Sequence, residues 1–185
     1  MAAATQKKDA DVPRFIMLSG GVNENSVKDV IKQIFEYNFT DPVKPITLVI
    51  DTYGGHVHSM FSLYNVMHGV TAPIHTVGLG KIMSAGTLLL AAGEKGHRKI
   101  GEHATLMIHG MTSFTYGTIF DQKADLEETE RLQKLMIEAY VSETHLTKKK
   151  INKILAENSN KYYVAKDAVV MGFADEVLGR ADGAE

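Results

Sequence analysis

Apolar and polar positions along the first half of the chain follow two alternating periods. Mostly apolar runs of strand length lie at 14–22, 45–51 and 72–80. Between them, apolar side chains recur three or four positions apart, as one face of a helix requires. The clearest such face follows the cap candidate Asn23 and consists of Val27, Val30, Ile31, Ile34 and Phe35. Strands separated by helix-length segments predict parallel βαβ units, with helices covering both faces of the sheet.

The second half of the chain continues this order with longer helical segments. A helix is predicted from Ser84 to about Ala92, a strand at 105–109, and a long amphipathic helix over about 121–144. The long helix exceeds most helices of globular proteins, and we expect it to project from the body. Two further helices and a closing strand complete the predicted α/β fold.

Composition and charge narrow the class of protein. The 185 residues, 44% of them hydrophobic, suffice for one domain, for which we predict residues 12–185, preceded by a mobile tail at 1–11. A formal net charge of −2 gives no basic excess for nucleic acid or an anionic membrane. The absence of cysteine excludes thiolate catalysis and cysteine-bound zinc. No apolar run has the length of a membrane span or the pattern of a signal peptide, so we expect a cytoplasmic protein.

Candidate chemistry lies where the predicted strands end, because ligands of parallel sheets bind beyond the carboxyl ends of the strands. "LVID" leads into Gly54 and Gly55, "HTVGLG" into Ser84, and "TLMI" into His109. A serine at such a turn is more often a helix cap than a nucleophile. The histidine is either a structural residue or a base, and the glycines form either an ordinary turn or a donor site for a carbonyl oxygen.

Three ordered motifs resemble the proteolytic subunit of the Clp protease family. They are "PITLVIDTYGGHVHSMFSLYNVM", "GKIMSAGTLLLAAGEKGHR" and "LMIHG", and the likeness extends over about 14–178. The resemblance implies a ClpP/crotonase-like fold of stacked βαβ units, with a projecting handle at about 110–145. It also implies a serine endopeptidase that cleaves extended peptides or unfolded proteins inside two stacked heptameric rings, with no cofactor.

The same resemblance implies a role for individual residues. Ser84 becomes the nucleophile and His109 its general base, while the backbone N–H groups of Gly55 and Ala85 match the oxyanion hole. The segment 110–117 matches a strand that pairs with substrate. The implied substrate-binding positions are Gly54, Gly110 and Met111.

The chain departs from the family pattern at the third triad position. Asn160 stands where the family has an aspartate, if a two-residue insertion upstream is allowed. An asparagine cannot stabilise the imidazolium as a carboxylate does, and a comparable replacement costs roughly 10⁴ in kcat. We therefore predict weak activity. Asp167 is an alternative partner, although its "AKDAVV" context indicates an exposed helix position.

Two further departures concern partners. Only about a dozen polar residues precede the first strand, so we expect a reduced axial gate, as in phage-encoded or plastid and cyanobacterial paralogues. Val49, Lys99 and Gly101 occupy positions that are usually aromatic or aliphatic where a Clp ATPase docks, which leaves that docking open.

Two alternatives to the peptidase stay open. A weakly active or inactive ring subunit that assembles with an active paralogue is the main alternative, and a crotonase-like acyl-CoA enzyme is the other. His56 and His58 point to different sides of the predicted helix, so no metal site is expected.

Overall fold

The computed structural model describes residues 13–157 and 159–179, and the tail predicted for 1–11 lies outside them. The described chain forms seven strands and six helices. The strands are β1 (Phe15–Val22), β2 (Ile46–Gly55), β3 (Ile74–Met83), β4 (Arg98–Gly101), β5 (Thr105–Ile108), β6 (Lys161–Val164) and β7 (Glu176–Leu178). The helices are α1 (Glu24–Thr40), α2 (Val57–Gly69), α3 (Ala85–Ala91), α4 (Ile119–Glu143), α5 (Lys148–Ala156) and α6 (Ala165–Val170).

The sheet is mainly parallel, which confirms the predicted βαβ organisation. Strands β1, β2, β3, β4 and β7 are neighbours in that order, and all four pairings are parallel. The strand β3 changes partner along its length: Thr76–Gly78 pair with β4, whereas Lys81–Met83 pair with β5. Its last residues therefore run beside β5, and both strands end at the same edge.

The core lies on one side of the sheet, and the prediction that helices cover both faces is wrong for the single chain. Alternate residues of the first three strands are buried, among them Ile16, Leu48 and Ile50. The opposite face exposes large apolar side chains, since Phe15 and Met17 are each 59% exposed. On β2 and β3 the residues between the buried ones are mostly half-buried, so one face of the sheet is packed and the other is only partly covered.

Local signals explain where the main helices begin. Asn23 caps α1 as predicted: its side chain accepts hydrogen bonds from the N–H groups of Asn25 and Ser26. Thr118 caps α4 in a reciprocal arrangement with Asp121. The helix α4 has 25 residues, a length of about 37 Å at 1.5 Å per residue. Its buried residues begin at Leu132, so its first half stands away from the core, as the handle prediction requires.

Three segments differ from the sequence prediction. The strand β4 was not predicted, because "RKIG" is only four residues long and carries a single large apolar residue. The strand β6 was not predicted, because "KYYV" is only four residues long and follows no periodic run. It pairs antiparallel with β5 and closes that side of the sheet. Residues 110–117 form no strand in the single chain, contrary to the expectation from the family resemblance.

Candidate active site

Ser84 occupies a strained turn between β3 and α3. It has φ 52° and ψ −122°, and it is the only described residue other than glycine with a positive φ. Its N–H donates to the carbonyl of Met107 on β5 at 2.8 Å. Although Ser84 stands at the first position before α3, its side chain makes no capping hydrogen bond. A strained backbone held by tertiary contacts is typical of a functional residue, and the helix-cap interpretation is not supported.

The side chain of Ser84 faces His109. Nε2 of His109 lies 2.9 Å from Oγ of Ser84, which is within hydrogen-bond reach. Met83 on β3 pairs with Met107 on β5. Ser84 directly follows Met83, and His109 is two residues after Met107, so strand pairing brings Ser84 and His109 together. The arrangement can move a proton from the hydroxyl to the imidazole.

A glycine at the end of β2 lets the backbone approach Ser84 closely. Gly54 has φ +89°, and a Cβ there would lie 2.6 Å from Cβ of Ser84 and 3.0 Å from the nitrogen of Ala85. Gly55 follows it, and Ala85 supplies the first N–H of α3, a group without an acceptor inside the helix. Two backbone segments therefore meet beside the serine hydroxyl.

These residues border a small pocket with a cavity volume of about 50 Å³. Gly55, Ser84, Ala85 and His109 form its polar side, and Gly110 and Met111 form one wall. The apolar side consists of Val57, Met60, Met136 and Tyr140. The structure thus brings together six of the predicted site residues, and Gly54 lies directly behind Ser84.

Asn160 lies near His109 in the backbone but does not contact its ring. Lys161 on β6 pairs with Ile108 on the antiparallel strand β5. Asn160 precedes Lys161 and His109 follows Ile108, so the two residues lie just beyond this end of the paired strands. The amide nitrogen of Asn160 instead donates to the hydroxyl of Tyr162 at 3.4 Å, and the residue is exposed. Within residues 13–157 and 159–179, no side chain hydrogen-bonds Nδ1 of His109. The predicted triad is therefore a Ser–His pair here.

The alternative partner Asp167 also makes no contact with His109 among the described hydrogen bonds. It lies in the first turn of α6 and is exposed. This position agrees with the exposed helix residue that its sequence context indicates.

Sequence reasoning missed two residues that support Ser84 from behind. Oγ1 of Thr87 donates to the carbonyl of Ser84 at 2.7 Å, and the hydroxyl of Tyr140 lies 2.7 Å from the same Oγ1. Since Thr87 uses its proton for Ser84, Tyr140 is the donor to Thr87. Burial raises the pKa of Tyr140 to about 12, so this hydroxyl keeps its proton near neutral pH. Thr87 lies three positions after Ser84, about one helical turn, and this spacing could have indicated their contact. No pattern in the sequence indicates the contact with Tyr140.

The three positions that depart from the family pattern where a Clp ATPase docks lie on the strands β2 and β4. Val49 is half-buried on β2, and Gly101 ends β4. Nζ of Lys99 on β4 pairs with the carboxylate of Glu176 on β7 at 3.0 Å.

The histidine pair His56 and His58 is the other candidate from the sequence. Nε2 of His58 lies 3.9 Å from a carboxylate oxygen of Glu128. No helix in the described part of the chain is long and apolar enough to cross a membrane.

The fold and the site together define a class of protein. A serine on a strained turn after one parallel strand, and a histidine after the strand paired with it, form the kind of site found in serine hydrolases. Comparison with models of protein families matches residues 4–181 to the family described as Clp protease. The chain belongs to the Clp protease family.

Two curated bacterial proteins illustrate the relationship. The ATP-dependent Clp protease proteolytic subunit 1 of Corynebacterium glutamicum is 31% identical over 166 residues, covering 89% of this chain and 79% of that protein. The subunit of the same name from Corynebacterium diphtheriae is 30% identical over 166 residues, covering 89% of this chain and 78% of that protein. The resemblance seen in the sequence motifs is thereby confirmed.

Proposed function

We propose that this chain is a serine endopeptidase subunit that cleaves extended peptides or unfolded proteins through an acyl-enzyme at Ser84. The contact of 2.9 Å between Oγ of Ser84 and Nε2 of His109 is the observation that carries the proposal. The strained backbone of Ser84 and the membership in the Clp protease family support it.

The first half of the reaction forms the acyl-enzyme. His109 takes the hydroxyl proton at Nε2 while Oγ of Ser84 attacks the scissile carbonyl carbon. The N–H groups of Gly55 and Ala85 stabilise the resulting oxyanion. The imidazolium then gives its proton to the leaving amine, and the C–N bond breaks.

The second half regenerates the serine. A water molecule gives a proton to Nε2 of His109 and attacks the acyl carbon. The tetrahedral intermediate collapses, the proton returns to Oγ of Ser84, and the peptide leaves with a new carboxyl terminus. Gly54, Gly110 and Met111 border the path of the extended substrate in this proposal, which assigns no cofactor.

Assembly into rings belongs to the same proposal. Large apolar side chains ahead of and within α4 are exposed, with Phe114 at 91% and Tyr116 at 88%. Exposed apolar groups of this kind indicate a protein contact. We propose two heptameric rings stacked as a tetradecamer, either of this chain alone or mixed with a paralogue. Docking of a Clp ATPase is left open, and the cytoplasmic location stays a prediction.

A weakly active or inactive ring subunit is the second candidate. It is favoured by one observation: Asn160 bonds Tyr162 rather than His109. A histidine without a partner at Nδ1 is not held in the tautomer that leaves Nε2 free to accept a proton. The acyl-CoA enzyme considered from the sequence gives Ser84 and His109 no shared role.

Labelling with a fluorophosphonate probe separates the two candidates. Purified protein is treated with the probe, its covalent mass is read by intact mass spectrometry, and its assembly state is recorded on the same sample. One adduct per chain that is lost in Ser84→Ala is the expected result. A well-assembled ring without any adduct would contradict the peptidase proposal and favour the structural subunit.

A further inference from the structure

A second cluster of reactive side chains lies at the start of β3, at the end of the strand opposite Ser84. Nε2 of His75 is 3.1 Å from a carboxylate oxygen of Glu94. The rings of His75 and His97 stack with centroids 4.2 Å apart and planes 3° apart. One ligand atom from each of the three residues lies within 4.8 Å of the others. The peptidase mechanism uses none of them.

The backbone holds these three residues together. The N–H of Glu94 donates to the carbonyl of Ile74 at 2.8 Å, and the N–H of Thr76 donates to the carbonyl of His97 at 3.3 Å. The turn at 94–97 is closed by a further bond of 3.0 Å, from the N–H of His97 to the carbonyl of Glu94. The turn is thus bonded to the residues on both sides of His75. Metal-binding side chains are best oriented when rigid elements carry them.

The donor set is that of a transition-metal site. Two imidazole nitrogens and one carboxylate oxygen suit Zn²⁺, for which bonds of about 2.0–2.2 Å and tetrahedral geometry are typical. In that geometry the ligand atoms lie roughly 3.3 Å apart. Nε2 of His75 and the oxygen of Glu94 are already 3.1 Å apart, and the ligand atom of His97, which lies within 4.8 Å of both, needs to approach by up to about 1.5 Å. Glu94 and His97 are exposed and can rotate, while His75 is half-buried on the strand.

The surrounding charges permit a cation. The positive charge of Lys99 acts on His75, but its ammonium group already forms an ion pair with Glu176 at 3.0 Å. Glu94 contributes a negative charge to the site itself. The three protein ligands leave one tetrahedral position for water or for a group from outside the chain.

We propose that His75, Glu94 and His97 bind a divalent transition-metal ion, with Zn²⁺ as the best fit. The site is separate from Ser84 because β3 has ten residues, about 30 Å of extended chain. Its effect is therefore on stability: a bound ion clamps the turn at 94–97 onto β3. An ion that binds only the folded chain raises the melting temperature. This proposal departs from the sequence-based expectation of no metal site.

The test is a titration of the full chain, freed of metal, with ZnCl₂ in an isothermal calorimeter. We expect about one Zn²⁺ per chain and a raised melting temperature, since the ion binds the folded state. His97→Ala and Glu94→Gln should each weaken binding at least about tenfold, because each removes one of three ligands. His103→Ala is the matched control, since His103 is an exposed histidine outside the cluster.

Cobalt provides an independent reading of the same site. Co²⁺ bound by two nitrogens and an oxygen in tetrahedral geometry gives strong visible absorption, which His97→Ala should abolish and His103→Ala should retain. Because His109 also offers a nitrogen, the titration is repeated in His109→Ala, where binding should persist. Equal affinity in His97→Ala and His103→Ala, or no binding at all, would overturn the proposal. Melting curves without metal establish that each variant is folded, and His97→Gln replaces any variant that is not. The outcome is independent of labelling at Ser84.

Discussion

The two ring nitrogens of His109 face two differently organised regions. On the side of Nε2, the Ser84 turn is held by hydrogen bonds to Met107 and Thr87, and Thr87 is held in turn by Tyr140. On the side of Nδ1, no described side chain makes a hydrogen bond, and Asn160 bonds elsewhere. The proposed nucleophile is therefore held by tertiary contacts, whereas the proposed base has no described side-chain partner at Nδ1. If Asn160 holds the third triad position, as we propose, the serine geometry is kept while the charge that supports catalysis is missing.

Supplying a carboxylate at position 160 should change activity most. Asn160→Asp places a charge at the end of the β5–β6 ladder beside His109, where it can accept from Nδ1 and stabilise the imidazolium. We expect kcat for a fluorogenic peptide to rise by roughly 10³ to 10⁴. Tyr162→Phe removes the competing hydroxyl and is the matched control, for which no such rise is expected. An unchanged kcat in a folded, assembled Asn160→Asp protein would contradict the assignment of this position.

Removing the base measures how much the Ser–His pair contributes without a carboxylate. In a serine protease, loss of the histidine lowers kcat by about 2 × 10⁶, and loss of the aspartate alone lowers it by about 3 × 10⁴. The ratio of these two losses is about 10². This is the factor that the histidine still contributes to kcat when the aspartate is missing. We therefore expect His109→Ala to lower kcat by about 10² in the natural chain. In Asn160→Asp, the change His109→Ala should lower kcat far more than in the natural chain. Equal falls in kcat in both proteins would show that the carboxylate does not act through His109.

Weakening the hydrogen bonds behind Ser84, on the Nε2 side of His109, should have a smaller effect on kcat. Tyr140→Phe removes the donor to Thr87 without changing the packing of the ring. We expect kcat to fall about fivefold with KM unchanged, and the free energy of unfolding to fall by about 1 kcal/mol. Thr87→Val and the double variant complete a thermodynamic cycle. A coupling near zero in kcat would show that the two hydroxyls act on kcat independently, which would contradict a chain from Tyr140 through Thr87 to Ser84.

Acid titration examines the scaffold away from both sides of His109. Burial tends to raise the pKa of Asp175, but the hydrogen bonds and charge of Arg98 outweigh it and hold this pKa at about 2. A carboxylate with a lowered folded pKa stabilises the protein above its unfolded pKa of 3.8, and this contribution is lost as the pH falls towards 2. We expect roughly 2 kcal/mol of stability to disappear in that window. Urea unfolding at pH 5 and pH 2.5, compared with Asp175→Asn, measures it; an equally steep loss in that variant would assign it to other groups.

The fold was largely predictable because its signals are periodic. The strands at the centre of the sheet and the helix α1 carry long apolar patterns, and their bounds differ from the prediction by a few residues. The exposed sheet face was not predicted, since polar and apolar alternation in β1 is weak: Phe15 and Met17 are apolar yet exposed. A sequence reports that a side chain is apolar, but not whether it packs within its own chain or against another.

The site was predictable only where the motif itself carries the residues. Ser84 and His109 follow strand ends and could be proposed as neighbours from topology. The contact between Thr87 and Tyr140 joins positions 53 apart, and no local pattern reports it. The same holds for His75 and His97, which meet because β4 runs beside β3. The hydrogen bond of Asn160 depends on a side-chain rotation, which the order of residues does not specify.

The bond from the N–H of Ser84 to the carbonyl of Met107 has a consequence for the order of folding. The strained turn needs β5 as its support, and β5 is synthesised after β3 and α3. A nascent chain that ends before residue 107 has no acceptor for this N–H, so we expect it to relax into an unstrained and unreactive conformation. The geometry that we propose for a reactive serine then forms only after β5 has docked beside β3, so any chemistry at Ser84 waits until the fold around it is built. Pulsed hydrogen exchange during refolding should show the amide of Ser84 becoming protected together with those of β5, and protection before β5 would argue against this order.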